Sequence, residues 1–164
     1  MIEESTVVKV GMADLNITKV GSIRTTGLGS CVGLTLFDPM SKIGGMAHVM
    51  LPSSDIAREG TLNIAKYADT AIPELIRRME LEGARLSRLI AKMAGGAQMF
   101  AFSSGNDMMR IGPRNVESCK QMLQIHNIPL LAEDTGGNYG RTIELRCEDG
   151  LLNIRSVQMG IRDI

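Results

Sequence analysis

Aromatic side chains are scarce in this chain: three Phe, two Tyr and no Trp among 164 residues. That leaves too few rings for a surface on which nucleic-acid bases stack. Neither charge is in excess, with 18 Lys plus Arg against 18 Asp plus Glu. A basic field to attract phosphate backbones and an acidic tail are therefore both lacking. No apolar run approaches the length of a membrane span, and Glu3 and Glu4 interrupt any signal-peptide reading of the N-terminus. The cysteines are few and odd in number (Cys31, Cys119 and Cys147) and form no CxxC. This fits a reducing compartment better than a disulfide framework. His48 and His126 lie far apart, with no cysteine at ligand spacing from either, which argues against structural zinc. The expectation is a soluble, cytoplasmic protein with no metal or organic cofactor.

What is present suggests one domain spanning residues 1–164, long enough to bury a core without staples. Twelve methionines serve as adaptable core filler. β-type runs recur at Thr6–Val10, Ser22–Thr26, Val32–Phe37, Gly44–Val49, Ser87–Met93, Gln98–Phe102, Ile128–Glu133, Arg141–Cys147 and Leu151–Val157. Ile143, Leu145 and Cys147 alternate with Thr142, Glu144 and Arg146, the period of a half-buried strand. Glu148-Asp149-Gly150 then reads as a hairpin turn into the last strand.

Two helices are expected among these strands. One runs over Asn63–Glu82, with Ile64, Ala68, Ala71, Leu75 and Met79 along an apolar face and Gly83 as its stop. Pro73 should kink or divide it near Ile72. The other runs over Val116–His126, with Asn115 as N-cap. Many short strands with two helices between them predict an α+β layered fold, since a doubly wound parallel sheet needs more frequent crossovers.

Chemistry concentrates at Cys31 and His48. Cys31 follows the tight turn Gly27-Leu28-Gly29-Ser30, which frees the backbone and is expected to expose the thiol. His48 arrives in Gly44-Gly45-Met46-Ala47-His48, after turn chemistry at Asp38-Pro39-Met40-Ser41. An antiparallel return through that turn pairs position 31 with roughly 48. A histidine there supplies the general base that turns a thiol into a nucleophile for acyl transfer. The sharp turn at Gly29 and Ser30 also offers backbone N–H groups to an oxyanion. Local pattern alone equally allows a buried structural cysteine and a satisfied core histidine.

Elsewhere the plainer readings prevail. Cys119 and Cys147 fall on apolar stripes, and His126 suits a helix C-terminus. The GLG turn lacks the third glycine or the GK[ST] ending of a phosphate loop. Thr25 and Thr26 are ordinary strand residues by type, although a hydroxyl there would suit the second nitrogen of an imidazole.

The strings Thr25-Thr26-Gly27-Leu28-Gly29-Ser30-Cys31-Val32 and Met46-Ala47-His48-Val49-Met50-Leu51-Pro52 resemble the CheD family of bacterial chemoreceptor glutamine deamidases. The likeness continues through Lys66-Tyr67-Ala68-Asp69, Gly95-Gly96-Ala97-Gln98, Ile111-Gly112-Pro113-Arg114-Asn115 and Asp134-Thr135-Gly136-Gly137. It implies conversion of glutamine side chains on chemoreceptor cytoplasmic helices to glutamate, with release of ammonia. By position it makes Cys31 the nucleophile, His48 the base and Thr25 the third residue. It implies a thioester intermediate, no cofactor, and binding to the phosphatase CheC. It also implies a sandwich of mixed β-sheets with flanking helices, similar in fold to the catalytic domain of cytotoxic necrotizing factor toxins. Two other readings compete: a largely non-catalytic interaction module of the same pathway, and a thiol peptidase or transglutaminase.

Overall fold

The computed structural model describes residues 6–56, 62–99 and 110–164. Among these, ten strands form two five-stranded sheets, accompanied by two α-helices. In chain order the elements are β1 Val7–Val10, β2 Leu15–Thr18, β3 Ser22–Leu28, β4 Val32–Asp38 and β5 Ile43–Val49, followed by α1 Ala68–Leu81. Then come β6 Ile90–Gly95, α2 Ile111–Ile125, β7 Leu130–Thr135, β8 Arg141–Arg146, β9 Leu152–Ser156 and β10 Gly160–Asp163.

The first sheet has the order β1-β3-β8-β9-β10 and the second the order β2-β5-β4-β6-β7. Both are mixed: β1 runs parallel to β3 and β6 parallel to β7, while every other pairing is antiparallel. The fold is therefore α+β and layered, as composition and spacing predict.

Two hydrophobic cores define three layers. One core gathers Ile23, Leu28, Met46, Ile143, Leu145, Leu152 and Ile154 from both sheets. The other joins Leu34, Leu36, Ala47 and Met93 of the second sheet to Ile72, Leu75, Met79, Cys119 and Leu123 of the helices. The second sheet is thus covered on both faces, and all seven residues of β4 and all seven of β5 are buried. That is why these strands read as continuous apolar and small runs, whereas β8 shows strict alternation. Ile143, Leu145 and Cys147 point inward there, as the sequence pattern requires.

Helix α1 buries Ala68, Ala71, Ile72, Leu75, Ile76 and Met79, a stripe of helical period. It continues undivided through Pro73. The break expected near Ile72 falls instead at Tyr67, whose extended backbone (φ −113°, ψ 139°) separates α1 from a single 3₁₀ turn at Ile64–Lys66. Asn63 caps that turn by accepting from the Ala65 N–H. Gly83 follows the helix with φ +113°, as a stop should.

Helix α2 begins at Ile111, so Asn115 is an interior residue and not its N-cap. His126 is the C-cap, where the sequence puts it. The expected strand over Gln98–Phe102 is not formed at Gln98 and Met99, and residues 100–102 lie outside the described segments. Strand β6 ends earlier, where Gly95 and Gly96 take φ values of +109° and +64°. Of the run Ser87–Met93 only the part from Ile90 is strand, because Leu86–Arg88 forms a 3₁₀ turn. No described helix is long and apolar enough to cross a membrane.

Candidate active site

Thr25, Cys31 and His48 come from three consecutive stretches of chain but from both sheets. Thr25 lies at the middle of β3 in the first sheet. The chain then passes Gly27 at φ +72°, with a register shift against β8 between Thr25 and Leu28. It bends through Gly29–Cys31 and enters the second sheet as β4. Antiparallel β5 returns beside β4 and carries His48. The return is as expected, but its register sets His48 opposite Gly33, two residues beyond Cys31. Cys31 immediately precedes β4, two residues from the position opposite His48, and its side chain joins the hydrophobic cluster between the sheets, the face to which His48 also turns. Both belong to the layer between the sheets, where Thr25 meets His48 from the opposite side.

Thr25 is 2 % exposed, whereas Thr26 points to the outer face and is exposed. Thr25 Oγ1 lies 2.7 Å from His48 Nδ1 and 2.8 Å from the carbonyl oxygen of Val10 on β1. These contacts determine the proton positions. A carbonyl only accepts, so the single hydroxyl proton of Thr25 goes to Val10, and Oγ1 must accept from His48. Nδ1 therefore carries the imidazole proton, and Nε2 presents its lone pair. Nε2 is buried and has no hydrogen-bond partner among the described residues, Cys31 Sγ included. A base nitrogen left free in this way is what proton abstraction requires, and catalytic hydrogen bonds commonly tighten only around substrate.

Burial sets the electrostatics. His48 is 1 % exposed, and desolvation lowers its pKa, so the imidazole rests neutral. Cys31 is 8 % exposed, against the open thiol expected from its turn, because its side chain packs into the hydrophobic cluster between the sheets. Desolvation raises its pKa, so the resting pair is thiol and imidazole, not thiolate and imidazolium. The proton therefore moves during attack.

The nucleophile turn is held from one side. The carbonyl of Gly29 accepts from Ala97 N–H at 2.9 Å, and that of Cys31 from Gly96 N–H at 2.8 Å. The Ser30 carbonyl accepts from Asn115 Nδ2 at 3.0 Å. Neither Ser30 N–H nor Cys31 N–H donates a hydrogen bond among the described residues. Gly95 permits this approach, since a side chain there would collide with the Cys31 carbonyl. At the same end, buried Arg141 sits opposite Leu28, pairs with Asp134 at 3.0 Å and stacks 4.3 Å from the Tyr139 ring centre.

The remaining candidates stay structural. Cys119 is fully buried, and desolvation pushes its thiol up to about 12. Cys147 donates to the Thr18 carbonyl at 3.6 Å, deep in the layer between the sheets. Sequence reasoning missed two participants, Val10 and Asn115. For Val10 no side-chain signal exists, because only its carbonyl takes part. For Asn115 a signal was present: it shares a stripe at i, i+4 and i+8 with buried Cys119 and Leu123.

A family model described as CheD chemotactic sensory transduction matches residues 50–156, a span that begins just after His48. Similarity to individual proteins covers nearly the whole chain. The chemoreceptor glutamine deamidase CheD of Halalkalibacterium halodurans is 57% identical over 159 residues, 96% of this chain and 98% of that protein. The probable chemoreceptor glutamine deamidase CheD of Lachnoclostridium phytofermentans is 59% identical over 151 residues, 92% and 93% of the two chains. The chemoreceptor glutamine deamidase CheD of Bacillus subtilis is 49% identical over 162 residues, 98% of each.

Proposed function

Because this chain belongs to the CheD family, we propose that it is a chemoreceptor glutamine deamidase in which Cys31 is the nucleophile, His48 the general base and Thr25 the group that orients it. The observation that carries the site assignment is the relay from His48 Nδ1 through Thr25 Oγ1 to the Val10 carbonyl, which leaves Nε2 as a buried free base.

In this reading Nε2 takes the Cys31 proton as sulfur attacks the carboxamide carbon of the target glutamine. The carbonyl electrons move to oxygen, and the N–H groups of Ser30 and Cys31, unpaired among the described residues, hold the oxyanion. The imidazolium then protonates the leaving nitrogen, ammonia departs, and a thioester remains on Cys31. Water, losing a proton to the same Nε2, attacks the thioester and releases glutamate and the thiol. The relay supports both half-reactions, since Thr25 accepts from Nδ1–H whether the ring is neutral or cationic. Val10 stabilises the cation at one remove. Every proton step runs through groups of this chain.

A mainly non-catalytic interaction module would have no use for a relay that sets one tautomer and frees the other nitrogen. A peptidase or transglutaminase would share the chemistry but not the products. The test is mass spectrometry of a chemoreceptor cytoplasmic fragment incubated with the protein. Conversion of glutamine to glutamate with free ammonia, and without cleavage or cross-linking, supports deamidation. An unmodified fragment, a cleaved one or a cross-linked one refutes it.

Three further proposals rest on the family resemblance. The chain works in the cytoplasm on receptor helices and binds CheC, which a calorimetric titration with CheC tests directly. Residues 1–164 form one domain, supported by a site that needs both sheets. The layered fold is kin to the catalytic domain of cytotoxic necrotizing factor toxins, and superposition of the two tests that.

A further inference from the structure

Asn115 is fully buried inside α2, yet it is the most polar side chain of that helix's inner stripe. Its Nδ2 donates to two carbonyls, Ser30 at 3.0 Å and Met50 at 2.9 Å. The first belongs to the nucleophile turn and the second lies two residues beyond His48. Exchanging oxygen and nitrogen would face Oδ1 toward two carbonyl oxygens, so this amide orientation is the one that forms bonds. Oδ1 itself is buried without a partner among the described residues. A side chain kept only for packing would leave no acceptor stranded, because an apolar residue of the same shape avoids that cost. The donor pair is therefore what the site uses.

The consequence follows from peptide geometry. All peptide bonds of the described residues are trans, so each C=O and the N–H of the next residue point in opposite directions. Holding the Ser30 carbonyl toward α2 turns the Cys31 N–H away from it. Ala97 does the same for the neighbouring peptide: it holds the Gly29 carbonyl and so turns the Ser30 N–H outward. Among the described residues neither of these backbone donors beside the nucleophile has a partner. Close packing fixes the clamp, since a side chain at Gly112 of α2 would collide with the Ala97 carbonyl.

We propose that Asn115 is a positioning residue for the oxyanion hole: its carboxamide locks the Ser30–Cys31 peptide so that the Cys31 N–H faces the reacting carbonyl oxygen. This deepens the assignment of Cys31 as nucleophile and rests on it. Asn115 touches neither substrate nor sulfur, and acts through the peptide plane.

The test separates chemistry that forms an oxyanion from chemistry that does not. 4-Nitrophenyl acetate acylates Cys31 through a tetrahedral oxyanion: sulfur bonds to the carbonyl carbon, the C=O electron pair moves to oxygen, and nitrophenolate leaves. Iodoacetamide alkylates the same thiolate by displacing iodide, with no oxyanion at any stage. Both rates are read at the Cys31 peptide of the full chain by mass spectrometry. Asn115→Leu keeps the approximate shape without donors, and Asn115→Asp retains at most one donor, when protonated. Ser118→Ala removes a neighbouring tether from α2 to the Pro52 carbonyl and serves as control.

For Asn115→Leu we expect acylation, and kcat on a receptor fragment, to fall about 10–100-fold, less than deletion of a direct oxyanion donor. KM, the alkylation rate and its pH dependence should stay within about two-fold of wild type, since no oxyanion enters them. Asn115→Asp should fall between, and it reports the same ratio if Asn115→Leu does not fold. Ser118→Ala should leave the ratio unchanged. Unaltered acylation, or alkylation falling in parallel with it, overturns the proposal. The ratio needs no receptor, so it tests Asn115 even if the wild-type protein leaves receptor glutamines untouched. A wild-type Cys31 inert to both reagents overturns the nucleophile assignment as well.

Discussion

Thr25→Val removes one oxygen and keeps the β-branched shape of a strand residue. In wild type that oxygen bridges two buried groups, His48 Nδ1 at 2.7 Å and the Val10 carbonyl at 2.8 Å. After substitution both lose their partner. A buried polar group left unpaired costs about 1–3 kcal/mol, and the added methyl offsets part of this, so a net stability loss of about 2 kcal/mol is expected. The catalytic loss has a separate cause. Without an acceptor at Nδ1 the neutral ring is free to place its proton on Nε2, which then cannot take one from Cys31. In the serine-protease triad, replacing the buried carboxylate so that the wrong tautomer forms costs about 10⁴ in kcat. A neutral hydroxyl holds a ring less firmly than a carboxylate, so about 10–100-fold is expected here, or roughly 1.4–2.7 kcal/mol of barrier. The loss should fall on kcat, with KM nearly unchanged, because receptor binding uses other surfaces. Steady-state kinetics on a receptor fragment, corrected for the folded fraction by circular dichroism, measures it. The matched control is Thr26→Val on the exposed outer face of β3. A silent Thr25→Val beside a damaging Thr26→Val would refute the relay.

Cys31→Ala and Cys31→Ser should abolish ammonia release while leaving the far-ultraviolet spectrum intact. Cys119→Ala and Cys147→Ala should instead cost about 1–3 kcal/mol in denaturant unfolding, with kcat of the folded fraction near wild type. His48→Ala should be nearly as damaging as Cys31→Ala, and the double mutant little worse than either, since groups acting as one unit are strongly non-additive. A double loss equal to the product of the single losses would show independent action. His48 also makes stability depend on pH. Burial depresses its folded pKa below the unfolded value of about 6.5, so the unfolded chain takes up the proton first as pH falls. Its contribution is complete above about 6.5 and is lost as pH falls toward the folded value. Urea unfolding at neutral and mildly acidic pH should show a smaller acid loss in His48→Ala, and an equal loss in both proteins would contradict this. Asp38 opposes its own burial with Arg88 at 2.7 Å and the N–H groups of Arg85, Met40 and Ser41, which together keep its carboxyl well below the usual range. Asp38→Ala strands the partly exposed guanidinium and should cost about 3 kcal/mol in thermal or urea unfolding.

Much of the fold was legible wherever one face of an element is wet. Strand β8 alternates because one side meets the other sheet and the other side solvent, and the stripe of α1 has the helical period for the same reason. Strands β4 and β5, buried on both faces, were legible as continuous apolar and small runs, whereas wholly exposed or very short edge elements were not. Strand β10 is exposed along its whole length, and β2 has four residues at a sheet edge, so neither stood out from a loop. The opposite failure is at Asn115, an N-cap by residue type. There α2 starts four residues earlier, and its interior asparagine donates to the Ser30 and Met50 carbonyls.

By itself the sequence determined what depends on neighbours along the chain: the turn before Cys31, the hairpin that returns His48 near it, and the apolar stripes that make the layers. These follow from backbone sterics and short-range periodicity, which a linear string carries in full. Only the tertiary structure decided that Cys31 is buried, that Thr25 faces His48 from the other sheet, and that Val10 and Asn115 set the protons and peptide planes around them. Those relations join residues through the stacking of two sheets and the docking of a helix, and no spacing between positions records which buried groups that packing brings within hydrogen-bond reach.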